Sequence, residues 1–279
     1  MHLDEVLQNK YQRLVENYQI PDWAYPILPP IPFIGSKYHE NPVKCLVYAS
    51  AENLTYIDDE HKKGIVCDIE KLGDRQLNRH RELLKPTDSF PNIHLEPMNN
   101  GSLAIASRYI LTLLGYDSSF SENPQEFIED ICVGNFGKFS IKPDQKNNEG
   151  KSASNQDYAS KFKYLKYSLD YVLADIELLQ PDILIIPKTI WNFAGVHKPV
   201  LSLLKKKTRV VKIYQTNRRV IGSHISKILS ANPDFSRASF PFCDPWLAKI
   251  NDSGINYAEM EKYVTWLSFN FEHNEETYF

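Results

Sequence analysis

The stretch that most constrains this chain is Asp182 to Pro187 (DILIIP). It is apolar at every position from Ile183 to Ile186, so it has no face left for solvent, and it is too short for a helix buried all round. A run of this kind is a strand covered on both sides, as in parallel sheets whose crossover helices lie on the faces. The residues before it fit that reading. Gln156 to Leu179 has the spacing of a long amphipathic helix and stops at Gln180-Pro181. After it come a helical stretch over residues 197–206 and a second apolar run, Arg209 to Tyr214 (RVVKIY). Upstream, Lys44 to Tyr48 (KCLVY) is another buried strand, and Asp130 to Asn135 (DICVGN) reads as strand then loop. Ser102 to Leu114 is helical, with Gly115 as its stop. Residues 257–271 form a helical tail.

Short apolar strands separated by helices are βαβ units. The expected fold class is therefore α/β: a three-layer α/β/α sandwich with a central, mainly parallel sheet, built from residues 1–279 as a single domain. The chain opens with a helix over residues 2–18, whose apolar positions Leu3, Val6, Leu7, Tyr11, Leu14 and Val15 fall at helical spacing. Residues 21–32 then carry Pro21, Pro26, Pro29, Pro30 and Pro32, which excludes both helix and central strand because proline lacks the amide donor.

Composition narrows the function classes. The net charge of −3 argues against a protein that coats nucleic acid through its phosphates and leaves room only for a local basic rim. Lys205-Lys206-Lys207 with Arg209, and Arg218-Arg219, are the clusters able to supply one. Cys45, Cys67, Cys132 and Cys243 are too widely spaced for a zinc site, and Cys45 and Cys132 lie in apolar runs, so buried reduced thiols are expected. The acidic, amphipathic N-terminus is no signal peptide, and no apolar run approaches the ~18 residues of a spanning helix. The expectation is a cytoplasmic protein with no membrane association and, in the absence of any glycine-rich phosphate loop, no cofactor.

In open parallel sheets ligands bind beyond the carboxyl ends of the strands. That rule selects the loops 49–56, 134–140 and 215–222, each polar and each after a strand-like run. Their order resembles the uracil-DNA-glycosylase superfamily, over about Pro29 to Gly222. Pro32-Phe-Ile-Gly-Ser-Lys-Tyr38 ahead of Lys44-Cys-Leu-Val-Tyr-Ala-Ser-Ala-Glu-Asn53 is similar to the family's first strand and water-activating loop. Gly101-Ser102-Leu103 resembles the segment after its proline-serine loop. Ile131-Cys-Val-Gly-Asn135 resembles the strand ending in the base-reading Asn. Asp182 to Ile186 followed by Trp191-Asn-Phe-Ala194 resembles a strand–helix step of the fold, and Lys212-Ile-Tyr-Gln-Thr-Asn217 stands where the family has its His-Pro-Ser loop. The departures are specific. The first loop reads Ala-Ser-Ala-Glu-Asn-Leu-Thr-Tyr, where the best-known members have Gly-Gln-Asp-Pro-Tyr-His, and the third loop has no histidine.

The resemblance implies a DNA glycosylase, monomeric and metal-free, acting on double-stranded DNA with a flipped base or on single-stranded DNA. Such enzymes extrude the nucleotide and read its Watson–Crick edge. On this reading Glu52 activates water or stabilises the cationic sugar and Asn53 orients the water. Gln215 and Asn217 hold the departing base in place of the histidine. Ser50 and Asn135 bind the base, with Phe136 or Phe139 stacked on it, and Lys138, Arg218 and Arg219 contact phosphates. Each has an ordinary alternative: a solvated or helix-start acid for Glu52, an Asx turn for Asn53, a turn for Asn135, core packing for the phenylalanines, a charged turn for the arginines. Asp58, Asp68 and His224 are reserve groups.

Uracil-specific relatives press an aromatic ring on C5 from the first loop. Here that loop runs Glu52-Asn53-Leu54, with Tyr56 later. The expected substrate is accordingly a C5-modified pyrimidine, as in the superfamily members that act on modified phage DNA in antiviral defence. A catalytically silent binding protein on the same fold and a hydrolase of free nucleosides are the competing expectations.

Overall fold

The computed structural model describes residues 3–17, 24–25, 29, 31–51, 107–108, 110–121, 124–138, 140–141, 162–205, 207–213 and 275–277. Its helices are α1 (Leu3–Asn17), α2 (Pro124–Asp130), α3 (Phe162–Leu179), α4 (Lys188–Trp191) and α5 (Ala194–Leu203). Its strands are β1 (Ala24–Tyr25), β2 (Phe33–Ile34), β3 (Cys45–Ala51), β4 (Cys132–Gly137), β5 (Ser140–Ile141), β6 (Ile183–Pro187), β7 (Arg209–Ile213) and β8 (Glu275–Thr277).

The chain is α/β, as its alternating pattern predicts. Six strands form one sheet in the order β2-β4-β3-β6-β7-β8. The inner four, β4, β3, β6 and β7, run parallel, and the edge strands β2 and β8 are antiparallel to their neighbours. All five residues of β6 are buried, so both faces of the sheet are covered there. At about 1.5–3 kcal/mol per fully buried aliphatic side chain, this strand is a major source of stability. Cys45 and Cys132 are buried free thiols, as expected. Among the described residues no helix is long and apolar enough to cross a membrane.

Helix α3 is the hub of one face because it buries two apolar stripes. Leu165, Val172, Ile176 and Leu179 pack on the sheet with Leu46, Tyr48, Phe136, Leu184 and Ile186, and α5 adds Val196 and Val200 to the same core. Tyr171 and Ala174 meet Leu7 and Tyr11 of α1 and Ile31. Ser168 and Asp175, two turns apart and so on one side of α3, are completely buried.

The stop signals act as read. Residues 110–113 are helical, and the segment ends at Gly115, whose φ of 80° is the left-handed conformation of a helix C-terminus. The Tyr116 N–H donates to Leu111 O and the Gly115 N–H to Thr112 O, the paired bonds of a Schellman motif. Helix α3 ends at Leu179, with Gln180 at φ 49° before Pro181. Among its described residues the proline-rich segment contributes β1, in a separate two-stranded sheet with β5, and it leads into the edge strand β2. The helical tail expected over 257–271 lies outside the described residues.

Strand ends differ from expectation. β3 runs to Ala51 and β4 to Gly137, so the first half of each expected loop is strand. Pairing explains this: Ala49 lies opposite Asn135 and Ala51 opposite Gly137, and each extension supplies the other's hydrogen bonds. Asp130 belongs to α2, and the strand begins only at Cys132.

Candidate functional site

The four parallel strands end on a common edge. Asn135 of β4 pairs in register with Ala49 of β3, and Pro187 of β6 with Ile213 of β7. Val47 pairs with Ile185, so Ala49 and Pro187 are level two residues further on. Asn135, Ala49, Pro187 and Ile213 thus form a row about 14 Å long at ~4.8 Å per strand. In chain order the sheet steps from β3 to β4 on one side, then crosses back to β6 on the other. The two loops that leave β3 and β6 therefore diverge at a topological switch point, where open α/β sheets carry their ligand crevice.

The opposite edge is sealed by its own hydrogen bonds. The Lys44 N–H donates to Asp182 Oδ2 (2.9 Å), Asp182 N–H to Lys44 O (2.8 Å) and Arg209 N–H to Asp182 O (2.9 Å), joining the starts of β3, β6 and β7. Thr208 Oγ1 donates to Pro181 O (3.1 Å). These groups are committed to structure.

The expected site residues divide into three groups. Ser50 lies within β3, one residue before its end, and Asn135 lies within β4, half-buried. Cys132 and Phe136 face α3, so strand alternation puts Asn135 on the other face of the sheet. Glu52, Asn53, Phe139, Gln215, Asn217, Arg218 and Arg219 lie outside the described residues, as do Asp58, Asp68, Tyr56 and His224. Their segments leave the sheet from the ends of β3, β4 and β7, on the same edge.

Two expectations are corrected. Phe136 is completely buried in the core under α3, edge-on to Tyr48 with ring centroids 5.7 Å apart, so it presents no face to a base. Lys138 is 1% exposed and cannot reach a phosphate in solvent. Its ammonium donates instead to Asp175 Oδ2 at 2.7 Å, and its backbone N–H donates to Ser168 Oγ at 2.9 Å. Both follow from parity: Lys138 comes two positions after Phe136, and the chain beyond Gly137 keeps the alternation that aims them at α3.

Asp175 is the centre of a buried polar cluster on four elements. It accepts from Tyr11 of α1 (2.6 Å), Tyr48 of β3 (2.8 Å) and Lys138 beyond β4 (2.7 Å). The Lys138 ammonium also lies 5.3 Å from the Tyr11 ring centroid and 5.6 Å from that of Tyr48, a distance at which the ring quadrupole attracts it. Burial pushes the Asp175 carboxyl above the ordinary carboxylate range, while the Lys138 ammonium and the two phenols pull it back. Burial, reinforced by the Asp175 charge, likewise raises both phenols. The cluster is buried away from solvent and its groups bond to one another, so its chemistry is that of a tether.

Lys188 and Thr189, directly after β6, are at the switch point and were not among the expected site residues. The strand-end rule applied to DILIIP as well as to the other three strands selects them. Lys188 is half-buried and Thr189 exposed. Comparison of the chain with protein-family models, with curated proteins and with solved structures finds no significant match.

Proposed function

We propose that the chain is a uracil-DNA-glycosylase-like enzyme that hydrolyses the N-glycosidic bond of a flipped, C5-modified pyrimidine and leaves an abasic site. The observation that carries this reading is the carboxyl edge with its switch point between β3 and β6: the segment leading to Glu52-Asn53 starts at the switch point, and those leading to Phe139 and Gln215–Asn217 start from the neighbouring ends of β4 and β7 on the same edge. Handedness supports the three-layer form. The step β3 to β4 runs one way across the sheet, and the steps β4 to β6 and β6 to β7 run the other way. Right-handed crossovers then put the two kinds of connection on opposite faces. In keeping with this, α3 and α5, from the second and third steps, share one core.

In the proposed reaction the oxygen of a water bonds to C1′ as the C1′–N bond breaks. Glu52 takes the proton that this water sheds, with Asn53 orienting it. The base leaves as an anion held by the amides of Gln215 and Asn217, and is protonated from solvent. These neutral amide donors hold the departing base more weakly than a well-aligned imidazole would. Asn135 reads the base edge with one acceptor and two donors, and Arg218 and Arg219 hold flanking phosphates. The context would be defence against phage whose DNA carries modified cytosine.

The test is alkali-revealed strand scission on duplex and single-stranded oligonucleotides carrying uracil, mismatches or C5-modified cytosines. Scission on a modified duplex, lost in Glu52→Gln and reduced in Asn135→Ala, is the expected result. Efficient cleavage of uracil DNA with every C5-modified duplex untouched would refute the substrate assignment. A second reading has its own observation: the absence of the family's usual first-loop Asp and third-loop His favours a silent member that binds nucleic acid. Binding without abasic sites would establish it.

A further inference from the structure

The chain leaving β4 is gripped twice within four residues, both times by the N-terminal arm or by what the arm covers. At Lys138 the backbone is bonded to Ser168 and the ammonium to Asp175, and that carboxylate also accepts from Tyr11 of α1. At Ser140–Ile141 the backbone pairs antiparallel with Ala24–Tyr25, with Tyr25 opposite Ser140 and Ala24 opposite Ile141. Leu7, Tyr11 and Ile31 pack against Tyr171 and Ala174 of α3, and Lys10 pairs with Glu177, so the arm is docked on the same helix that bears Asp175.

A buried ion pair is a poor way to gain stability, because apolar residues of the same volume often do as well or better. What it supplies is direction. The Asp175 carboxylate accepts three donors from three different elements, at 2.6, 2.8 and 2.7 Å. A shift of the β4 exit by even 1 Å breaks that geometry inside a low-dielectric interior, where a polar group left without its partner is expensive. An apolar clamp would tolerate sliding.

We propose that the N-terminal arm, α1 with β1, is a clamp that holds the β4 exit in one position through the Tyr11–Asp175–Lys138 relay and the β1–β5 pairing. Tyr11, Asp175 and Lys138 are then positioning residues for the wall of the carboxyl-edge site that runs from Asn135 to Ile141. This use of the clamp rests on the glycosylase reading; the clamp itself does not.

The experiment compares the full-length protein with Tyr11→Phe and with the charge-neutral pair Lys138→Met/Asp175→Asn. Amide exchange is followed across residues 134–141 and, as an internal control, across β6. Abasic-site formation is followed on the preferred duplex. The expected result for Tyr11→Phe is exchange about tenfold faster at the β4 exit, the equivalent of one lost hydrogen bond, with β6 unchanged. Both variants lose kcat by about 10- to 100-fold at nearly constant KM, as expected for a site wall misplaced by up to 1 Å. Unchanged exchange at 134–141, or equal acceleration in β6, overturns the clamp. Faster local exchange with kcat intact overturns its role in positioning. If the parent protein forms no abasic site on any substrate, the glycosylase reading falls, and the exchange measurement still decides the clamp.

Discussion

Replacing Lys138 by Met keeps an unbranched side chain that ends where the ammonium begins and removes the charge, which isolates what the ammonium does. Lys138 is 1% exposed and Asp175 fully buried, so water cannot take over the lost contact. The carboxylate keeps two phenol donors and loses its one ionic partner among the described residues. Breaking a buried pair from one side costs about 3–5 kcal/mol, roughly a fifth or more of the total stability of an ordinary domain at about 5–15 kcal/mol. Asp175→Asn in the same chain removes the orphaned charge; Tyr11 and Tyr48 bond different oxygens of Asp175, so the amide oxygen accepts from one phenol and the amide NH2 donates to the oxygen of the other, and the double variant is expected to recover most of the loss. Chemical denaturation followed by circular dichroism, with a common m-value, gives the coupling energy. The loss in Lys138→Met also has a sign in pH. Burial already raises Asp175, and without Lys138 its folded pKa rises further above the unfolded value of about 3.9. The folded state then binds the extra proton, so the variant's stability is retained at or below about pH 4 and is lost as pH rises through the folded pKa. A Lys138→Met penalty under about 1 kcal/mol, or one that grows on acidification, would refute this account of the cluster.

Gly35→Ala is expected to destabilise by about 1–3 kcal/mol, since a Cβ there would lie 2.2 Å from Glu129 O, a backbone atom unable to swing aside. The same junction carries the Gly35 N–H to Ile131 O and Lys37 N–H to Glu129 O bonds, and a denaturation midpoint equal to that of the parent would contradict the close approach. Cys45 and Cys132 are fully buried, and burial raises both thiols, so at pH 8 they should resist a thiol reagent until the chain unfolds. Peptide mapping after native-state labelling checks this at each cysteine separately.

Much of the fold was legible in the chain because it depends on local patterns. A run apolar at every position, such as Ile183 to Ile186, needs cover on both faces wherever it is placed. The period of residues 162–179, the glycine at 115 and the Gln180-Pro181 stop likewise act within a turn or two of themselves. Strand ends were less legible, since Ala49 to Ala51 stay extended only because Asn135 and Gly137 lie alongside. For the candidate site, the carboxyl-edge rule selected the ends of β3, β4 and β7 but not the β6 end with Lys188 and Thr189, because the switch point exists only once the strand order is known.

The sequence by itself determined an α/β chain with buried parallel strands, and where its helices stop. Tertiary structure alone decided what the charges do. Lys138 follows a strand and reads as a cation at a loop, free to meet a phosphate, until Asp175, 37 residues later, closes on it. Tyr11 reads as one more apolar position of an amphipathic helix until that same carboxylate, 164 residues away, accepts its hydrogen bond. Periodicity records which side of an element is buried. It carries no information about which distant polar group is buried opposite, and that pairing is what turned an expected DNA contact into an internal tether.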